Sequence, residues 1–319
     1  MDRLVPHWPR IDATEDALTR PIDPPSAAPA SLGSTPGHGS TTAARSAARH
    51  RLGALYRRTR DLALKPIYAF YVTRLEAAVM AHPRPAHVAV IMDGNRRWAT
   101  EAGFEDLGVG HRRGAEKALE LIDWCADLGI REVTLWALSI ENLERSEEEV
   151  ETITDVAADA IAAMADGRRK TRLPIHLRVI GRRDLLPEGL ASVVERSAAL
   201  SSDDGAMSVT VALAYSGRDE LLEAFRATVR EAVDAGTPPD RLADSLTADA
   251  LASHLYTKGS SDPDLIIRTS GEVRLSGFLP WQSVYAEYHF AEAYWPAFRE
   301  IDFLRAIRTY QQRARRFGR

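Results

Sequence analysis

The sequence predicts one α/β domain, a mainly parallel central sheet of about six strands flanked by helices, behind a disordered N-terminal tail. Two observations predict it. From Pro85 onward short β-branched runs alternate with longer helical stretches, and strands separated by helices pair in parallel through right-handed crossovers. The 319 residues, 45% hydrophobic and 27% charged, suit one large domain plus a tail and exclude a wholly disordered, collagenous or disulfide-scaffold chain.

Residues 1–48 are rich in Pro, Ala, Ser, Thr and Gly, as in PIDPPSAAPASLGSTPGHGSTTAA, and have no helical or strand period, so they read as the disordered tail. Residues 49–84 read as basic amphipathic helices. Leu52, Leu55, Tyr56, Leu62, Ile67, Phe70, Tyr71 and Leu75 recur at near-helical spacing, Pro66 marks a break, and eight cations face one anion between Arg45 and Arg74. Such a segment is either a helix docked on the domain or a peripheral contact with an anionic membrane. Residues 85–319 read as the α/β domain. HVAVIM, EVTLWAL, IHLRVI, MSVTVAL and DLIIRT read as its buried strands, with a sixth near SVYAEYHF. Helices fit at Gly114–Leu128, Ser146–Met164, Gly189–Leu200 and Asp219–Val233. Phe303, Leu304, Ile307 and Tyr310 form a last helical stripe.

Several function classes drop out. A net charge of −4 opposes general nucleic-acid binding. There is neither an apolar run long enough for a membrane span nor an apolar leader near Met1, so the expected location is the cytoplasm. Cys125 is the only cysteine, which removes intramolecular disulfides and CxxC metal sites. Phosphate-loop, nucleophile-elbow and HExxH patterns are missing, and Gly108, Gly110 and Gly114 are misspaced for a dinucleotide fingerprint. No aspartate-rich metal box exists, so bound magnesium must rely on isolated carboxylates.

Ligands of open parallel sheets bind at the carboxyl ends of strands. The first strand runs into Asp93-Gly94-Asn95-Arg96-Arg97-Trp98, where an aspartate and two arginines suit a magnesium-bound polyphosphate, or Asp93 merely caps the next helix. The second ends in Ser139-Ile140-Glu141-Asn142-Leu143-Glu144-Arg145. After the fifth come Arg268, Arg274 and Ser276, forked donors and a hydroxyl that match diphosphate oxygens. Three strand ends thus converge on one anionic ligand.

IMDGNRRWA, the Ser139–Arg145 stretch, DPDLIIRTSGEVRLSGFLPWQ and the closing RRFG resemble, in that order, the signature regions of the cis-prenyltransferase (undecaprenyl diphosphate synthase) family. DGNRRW and LSGFL resemble its actinobacterial short-chain branch, which makes Z,E-farnesyl diphosphate. The resemblance implies a homodimer that condenses isopentenyl diphosphate with an allylic diphosphate, geranyl diphosphate by preference, to a short Z-isoprenyl diphosphate. It implies Mg²⁺ at Asp93, with Glu287 as a second metal-associated carboxylate near the dimer interface. Gly94, Asn95 and Arg97 fall on the diphosphate loop, with Arg96 and Trp98 beside them. Arg268, Arg274 and Ser276 fall on the isopentenyl diphosphate site. His111, Ser139, Asn142, Arg145 and Glu149 fall near the reacting ends or on a closing loop, and Asn95, Ser139 and His111 are candidates for positioning or proton relay. Arg316 and Gly318 are expected to reach the partner's phosphate site. Leu135, Ala137, Leu138 and alternate residues of Val88–Ile91 are expected to wall an apolar tunnel. Arg96 stands where long-chain members carry Gly, while Leu138, Leu143 and Ala297 replace the usual Phe, Trp and Asp. These departures bear on chain length. The competing readings are a medium- or long-chain synthase, irregular coupling of two dimethylallyl units, a cyclase-like variant and a non-catalytic partner subunit.

Overall fold

The structure, a computed structural model, describes residues 68–166, 173–201 and 206–313. The tail, most of the basic segment, Arg316 and Gly318 lie outside the described residues.

Six strands form one parallel sheet: β1 His87–Ile91, β2 Glu132–Trp136, β3 Ile175–Ile180, β4 Met207–Ala212, β5 Leu265–Arg268 and β6 Glu287–Phe290, in the order β3-β4-β2-β1-β5-β6. All five residues of β1 and all four of β5 are buried, as a parallel sheet covered on both faces requires. The sixth strand is shorter than SVYAEYHF suggests. Ser283, Val284 and Tyr285 stay outside it, and β6 begins only where Glu287 pairs with Leu265.

A helix α1 is described over residues 68–80. It is followed by α2 Asn95–Glu101, α3 Gly108–Asp127, α4 Glu147–Ala165, α5 Glu188–Leu200, α6 Gly217–Asp234, α7 Ala248–Ala252 and α8 Glu300–Gln312. The short α2 and α7 were not expected. They carry too little periodicity to announce themselves, and α2 opens on Gly94 at φ +103° with no side-chain cap. Helix α3 starts six residues before the expected Gly114 because Gly110 leaves space for the backbone of Asn95, whose carbonyl a Cβ would meet at 2.2 Å.

The described part of the basic segment packs on the domain. Val72 and Val79 of α1 join the main core beside Phe303, Leu304 and Ile307 of α8. The Gln311 side-chain amide donates to the carbonyl of Val79 at 2.8 Å, and the Arg305 guanidinium lies 6.0 Å from the centre of the Tyr71 ring. Cys125 is wholly buried, and burial pushes its thiol above the usual range, as befits a core residue. Among the described residues no helix is long and apolar enough to cross a membrane.

Strands β2, β1 and β5 are neighbours at the centre of the sheet, so the three strand ends singled out in the sequence lie side by side. Loops there are held in unusual backbone conformations, with Ser270 at φ +81° and Ser276 at φ +52°. Non-glycine residues reach such angles only where surrounding contacts over-determine them.

Candidate active site

A cleft of about 600 Å³ opens at these strand ends, within the size range of small-molecule sites. Its lining includes Asp93, Gly94, Asn95, Arg96, Arg97, His111, Ser139, Asn142, Arg145, Arg268 and Ser276. Eleven of the residues singled out in the sequence therefore share one cavity.

Asp93 is at its centre. One carboxylate oxygen accepts from Arg268 Nη2 at 2.7 Å and the other from Arg97 Nη2 at 2.9 Å. Burial opposes ionisation, but the two guanidinium groups and the Ser270 hydroxyl outweigh it and hold the carboxyl below its usual range. Asp93 does not cap the helix, because the cap position of α2 is Gly94 and carries no side-chain bond. Thr269 fixes the Asp93 backbone from both sides. Its hydroxyl donates to the Asp93 carbonyl at 2.7 Å and accepts from the Asp93 amide at 3.0 Å.

Arg268 emerges from the end of β5 with its side chain 5% exposed. Besides Asp93, it donates to the Ser276 hydroxyl at 2.8 Å and to the Arg274 carbonyl at 2.5 Å. Arg97 donates to Ser270 Oγ at 2.8 Å and to Glu272 at 3.2 Å, and Glu272 also pairs with Arg274. Asp93 and Glu272 thus join the arginines of two strand ends into one charge network.

On the other rim, the turn Ile140–Glu144 is capped by Ser139 and Asn142, each bonding the other's backbone amide at 3.2 and 3.1 Å. Glu149 accepts from Arg145 at 2.7 Å and lies 3.5 Å from Arg96. His111 is half-buried among these cations. Burial, and then the charge of Arg145, lowers its pKa to about 4, so it is neutral at ordinary pH. The buried Nε2 of His111 and Oδ1 of Asn95 have no hydrogen-bond partner, and both residues line the cavity. Groups of this kind await a ligand or water.

Four residues singled out in the sequence stand apart from the lining. Trp98 packs on Phe104 with ring centres 5.7 Å apart. Arg274, its side chain 61% exposed, and Glu149 reach the site through their ion pairs. Glu287 is further away. It opens β6 opposite Leu265, the far end of β5 from Arg268, and pairs with Arg313 at 2.5 Å. Within this chain, Asp93 and Glu287 do not meet. Sequence reasoning missed Thr269, Ser270, Glu272 and Tyr294. The first three lie inside the quoted DPDLIIRTSGEVRLSGFLPWQ stretch and follow a strand end, which was the available signal; Tyr294 had none.

The donor set suits a magnesium diphosphate. Magnesium keeps several waters and needs only one or two carboxylates beside phosphate oxygens, and Asp93 is an ionised carboxylate flanked by Arg97 and Arg268, donors of the kind that suit phosphate. Among the described residues no group of three or more metal-ligating side chains exists, so the substrate's own oxygens would complete the shell.

Below the charged rim a second, apolar cavity of about 60 Å³ continues inward. Ala115, Ala118, Leu135, Ala137, Ile153, Ala157, Ile161 and Met164 are among its lining residues. Leu135 and Ala137, expected as tunnel wall, are thus found there, while Leu138 and Ile91 line the upper cleft.

Comparisons with known proteins show the family. A family model described as "Putative undecaprenyl diphosphate synthase" matches residues 91–318. Isoprenyl transferase 1 of Corynebacterium diphtheriae is 44% identical over 259 residues, covering 81% of this chain and 96% of the relative. The (2Z,6E)-farnesyl diphosphate synthase of Thermobifida fusca is 46% identical, covering 79% of this chain and 97% of the relative. Among solved structures, lavandulyl diphosphate synthase from Lavandula x intermedia in complex with dimethylallyl diphosphate aligns with a TM-score of 0.67 and 33% identity, over 74% of this chain and 99% of that one. With the family matched over residues 91–318, the chain belongs to the undecaprenyl diphosphate synthase family of prenyltransferases.

Proposed function

We propose that the protein is a cis-prenyltransferase that extends an allylic diphosphate, geranyl diphosphate by preference, with isopentenyl diphosphate to a short Z-isoprenyl diphosphate such as Z,E-farnesyl diphosphate. One observation carries this reading: Asp93, Arg97, Arg268 and Ser276 form a single charged network directly above a narrow apolar cavity.

Arg97 would bind the allylic diphosphate and neutralise charge as it leaves C1. Arg268, Arg274 and Ser276 would hold the isopentenyl diphosphate so that its double bond faces that carbon. Asp93 would hold magnesium, which when bound supplies positive charge to the departing diphosphate. The new carbon–carbon bond forms as the allylic C–O bond breaks, and loss of a proton from the added unit restores a double bond. The departing diphosphate would take up that proton, with His111 and the Asn95 side-chain oxygen, whose polar atoms lack partners, positioning the water that relays it. The apolar walls exclude water from the cation.

Arg96 adds a cation to the mouth. Its link to Glu149 and Arg145 connects the diphosphate turn with α4. Arg96→Gly is expected to raise the KM for the allylic diphosphate several-fold, and steady-state kinetics with geranyl diphosphate would measure it; an unchanged KM would remove Arg96 from the site.

The deep cavity favours a short product. Its volume is about 60 Å³, against about 600 Å³ for the cleft above it, so little room is left for a growing chain. Helix α4 starts at the mouth and descends about 1.5 Å per residue, so Ile161 and Met164 lie near the floor, 1% and 3% exposed. Met164→Ala should shift the products beyond C15, at a stability cost of about 2–5 kcal/mol. Chromatography of the dephosphorylated products checks this, and an unchanged C15 product would place the length limit elsewhere.

We infer further that the active unit is a homodimer. Leu222, Phe225 and Val233 share one face of α6, each at least 47% exposed, and a second copy would cover them. Peripheral membrane contact would come from the basic residues before 68.

Labelled isopentenyl diphosphate with Mg²⁺ and, in turn, dimethylallyl, geranyl and farnesyl diphosphate tests the whole reading. A C15 Z,E product from the geranyl primer supports it. A ladder of long products, a branched coupling of two dimethylallyl units, or silence with every primer would each overturn it.

A further inference from the structure

We propose that Tyr294, on the loop between β6 and α8, is a positioning residue that aims Arg97 at the allylic diphosphate. This rests on the reading of the cleft given above.

The geometry is specific to one side chain. The Tyr294 ring lies against Gly94, where a Cβ would approach its Cδ1 to 2.6 Å and its Cβ to 3.1 Å. The Arg97 guanidinium sits 5.6 Å from the centre of the same ring, within the range of a cation–π contact. The Tyr294 hydroxyl donates to Glu101 Oε1 at 2.5 Å. Gly94 caps α2 and Glu101 ends it, so one aromatic side chain spans this short helix from first turn to last.

The helix needs such a brace. It has seven residues and no side-chain cap, and helices this short are marginal without tertiary contacts. The loop below it is itself anchored. The Trp295 amide donates to the Asp93 carbonyl at 3.0 Å and the Ser270 amide to the Ala293 carbonyl at 2.8 Å, while the Trp295 indole donates to the Gly114 carbonyl at 2.8 Å. Tyr294 therefore ties α2 to a fixed platform.

Arg97 also faces Asp93, Ser270 and Glu272, any of which can draw the guanidinium towards itself. An aromatic plane beneath a planar guanidinium restricts its tilt while leaving its outer N–H donors available, which an aliphatic side chain does not do. Glu101, held by the Tyr294 hydroxyl, lines the cleft, and the same bond keeps its carboxylate from swinging towards an incoming anion.

The test compares wild type, Tyr294→Leu and Tyr294→Phe as full-length chains. The readouts are KM for geranyl and isopentenyl diphosphate, kcat, the thermal midpoint, and calorimetric affinity for inorganic diphosphate with Mg²⁺. Tyr294→Leu is expected to raise the KM for geranyl diphosphate at least fivefold, weaken inorganic diphosphate binding similarly and leave the KM for isopentenyl diphosphate within twofold. Tyr294→Phe, which keeps the ring but frees Glu101, is expected to raise the KM for geranyl diphosphate less than Tyr294→Leu does and to leave the KM for isopentenyl diphosphate within twofold. Equal rises in both KM values with a lowered midpoint would make Tyr294 merely structural and overturn the proposal, as would unchanged values in Tyr294→Leu. If wild type turns over no primer, the functional reading fails, and the diphosphate affinities alone still decide the role of Tyr294.

Discussion

Asp93→Asn is expected to lower turnover about a thousandfold or more while the fold survives, equivalent to about 4 kcal/mol of lost transition-state stabilisation. The carboxylate has two tasks. It separates Arg268 from Arg97, taking one donor from each on different oxygens, and it supplies the ionised ligand that magnesium requires. The amide keeps the shape and one acceptor but loses the charge. Asn serves better than Ala because the Arg268 side chain is only 5% exposed: deleting its partner would strand a buried charge. The pH dependence follows from the lowered pKa. A carboxyl held below its unfolded value contributes stability above that value, and the contribution fades as pH falls through the folded pKa. Wild type should therefore lose more stability than Asp93→Asn on acidification below about pH 4. Single-turnover rates and thermal midpoints, measured in parallel, check both statements. Full activity in the variant would remove Asp93 from the metal site.

How much of this was readable in advance depended on the range of the interaction. The strands were legible because burial on both faces leaves continuous β-branched runs such as HVAVI and LIIR. The rule that open sheets bind at carboxyl ends then pointed to Asp93, Ser139 and Arg268 before any geometry was known. Helix α2 was not legible, since seven residues hold less than two full periods. Nor was Tyr294, whose role comes from meeting Gly94 and Arg97 across about two hundred residues of chain. Glu287 shows the converse limit. A matching motif placed it beside a metal, yet its position at the amino end of β6 keeps it from Asp93 within one chain, so any shared site would need another arrangement, such as a second subunit.

Glu220→Ala is expected to destabilise the protein by about 3–5 kcal/mol, although Glu220 touches neither cleft nor cavity. Its carboxylate is 0% exposed and collects donors from three directions: the Tyr215 hydroxyl at 2.6 Å, the Tyr256 amide at 2.9 Å and the Gln282 side-chain amide at 3.1 Å. Truncation takes the acceptor from the Tyr215 hydroxyl and the Tyr256 amide and leaves Gln282 only Thr257, at about 1–3 kcal/mol per lost bond before relaxation and entering water relieve part of the cost. Tyr215 in turn accepts from the Leu279 amide at 3.2 Å, so the loss reaches the loop that carries Ser276. At about 2–4 °C per kcal/mol for a large domain, the thermal midpoint should fall by about 6–20 °C. Burial, the largest influence on Glu220, raises its pKa. A carboxyl raised in the folded state favours folding while protonated, and that contribution is lost as pH climbs from the ordinary glutamate value through the folded pKa. The difference in midpoint between wild type and Glu220→Ala should therefore narrow as pH rises through that window. A midpoint within 2 °C of wild type at every pH would show that this buried carboxylate does not hold the loop.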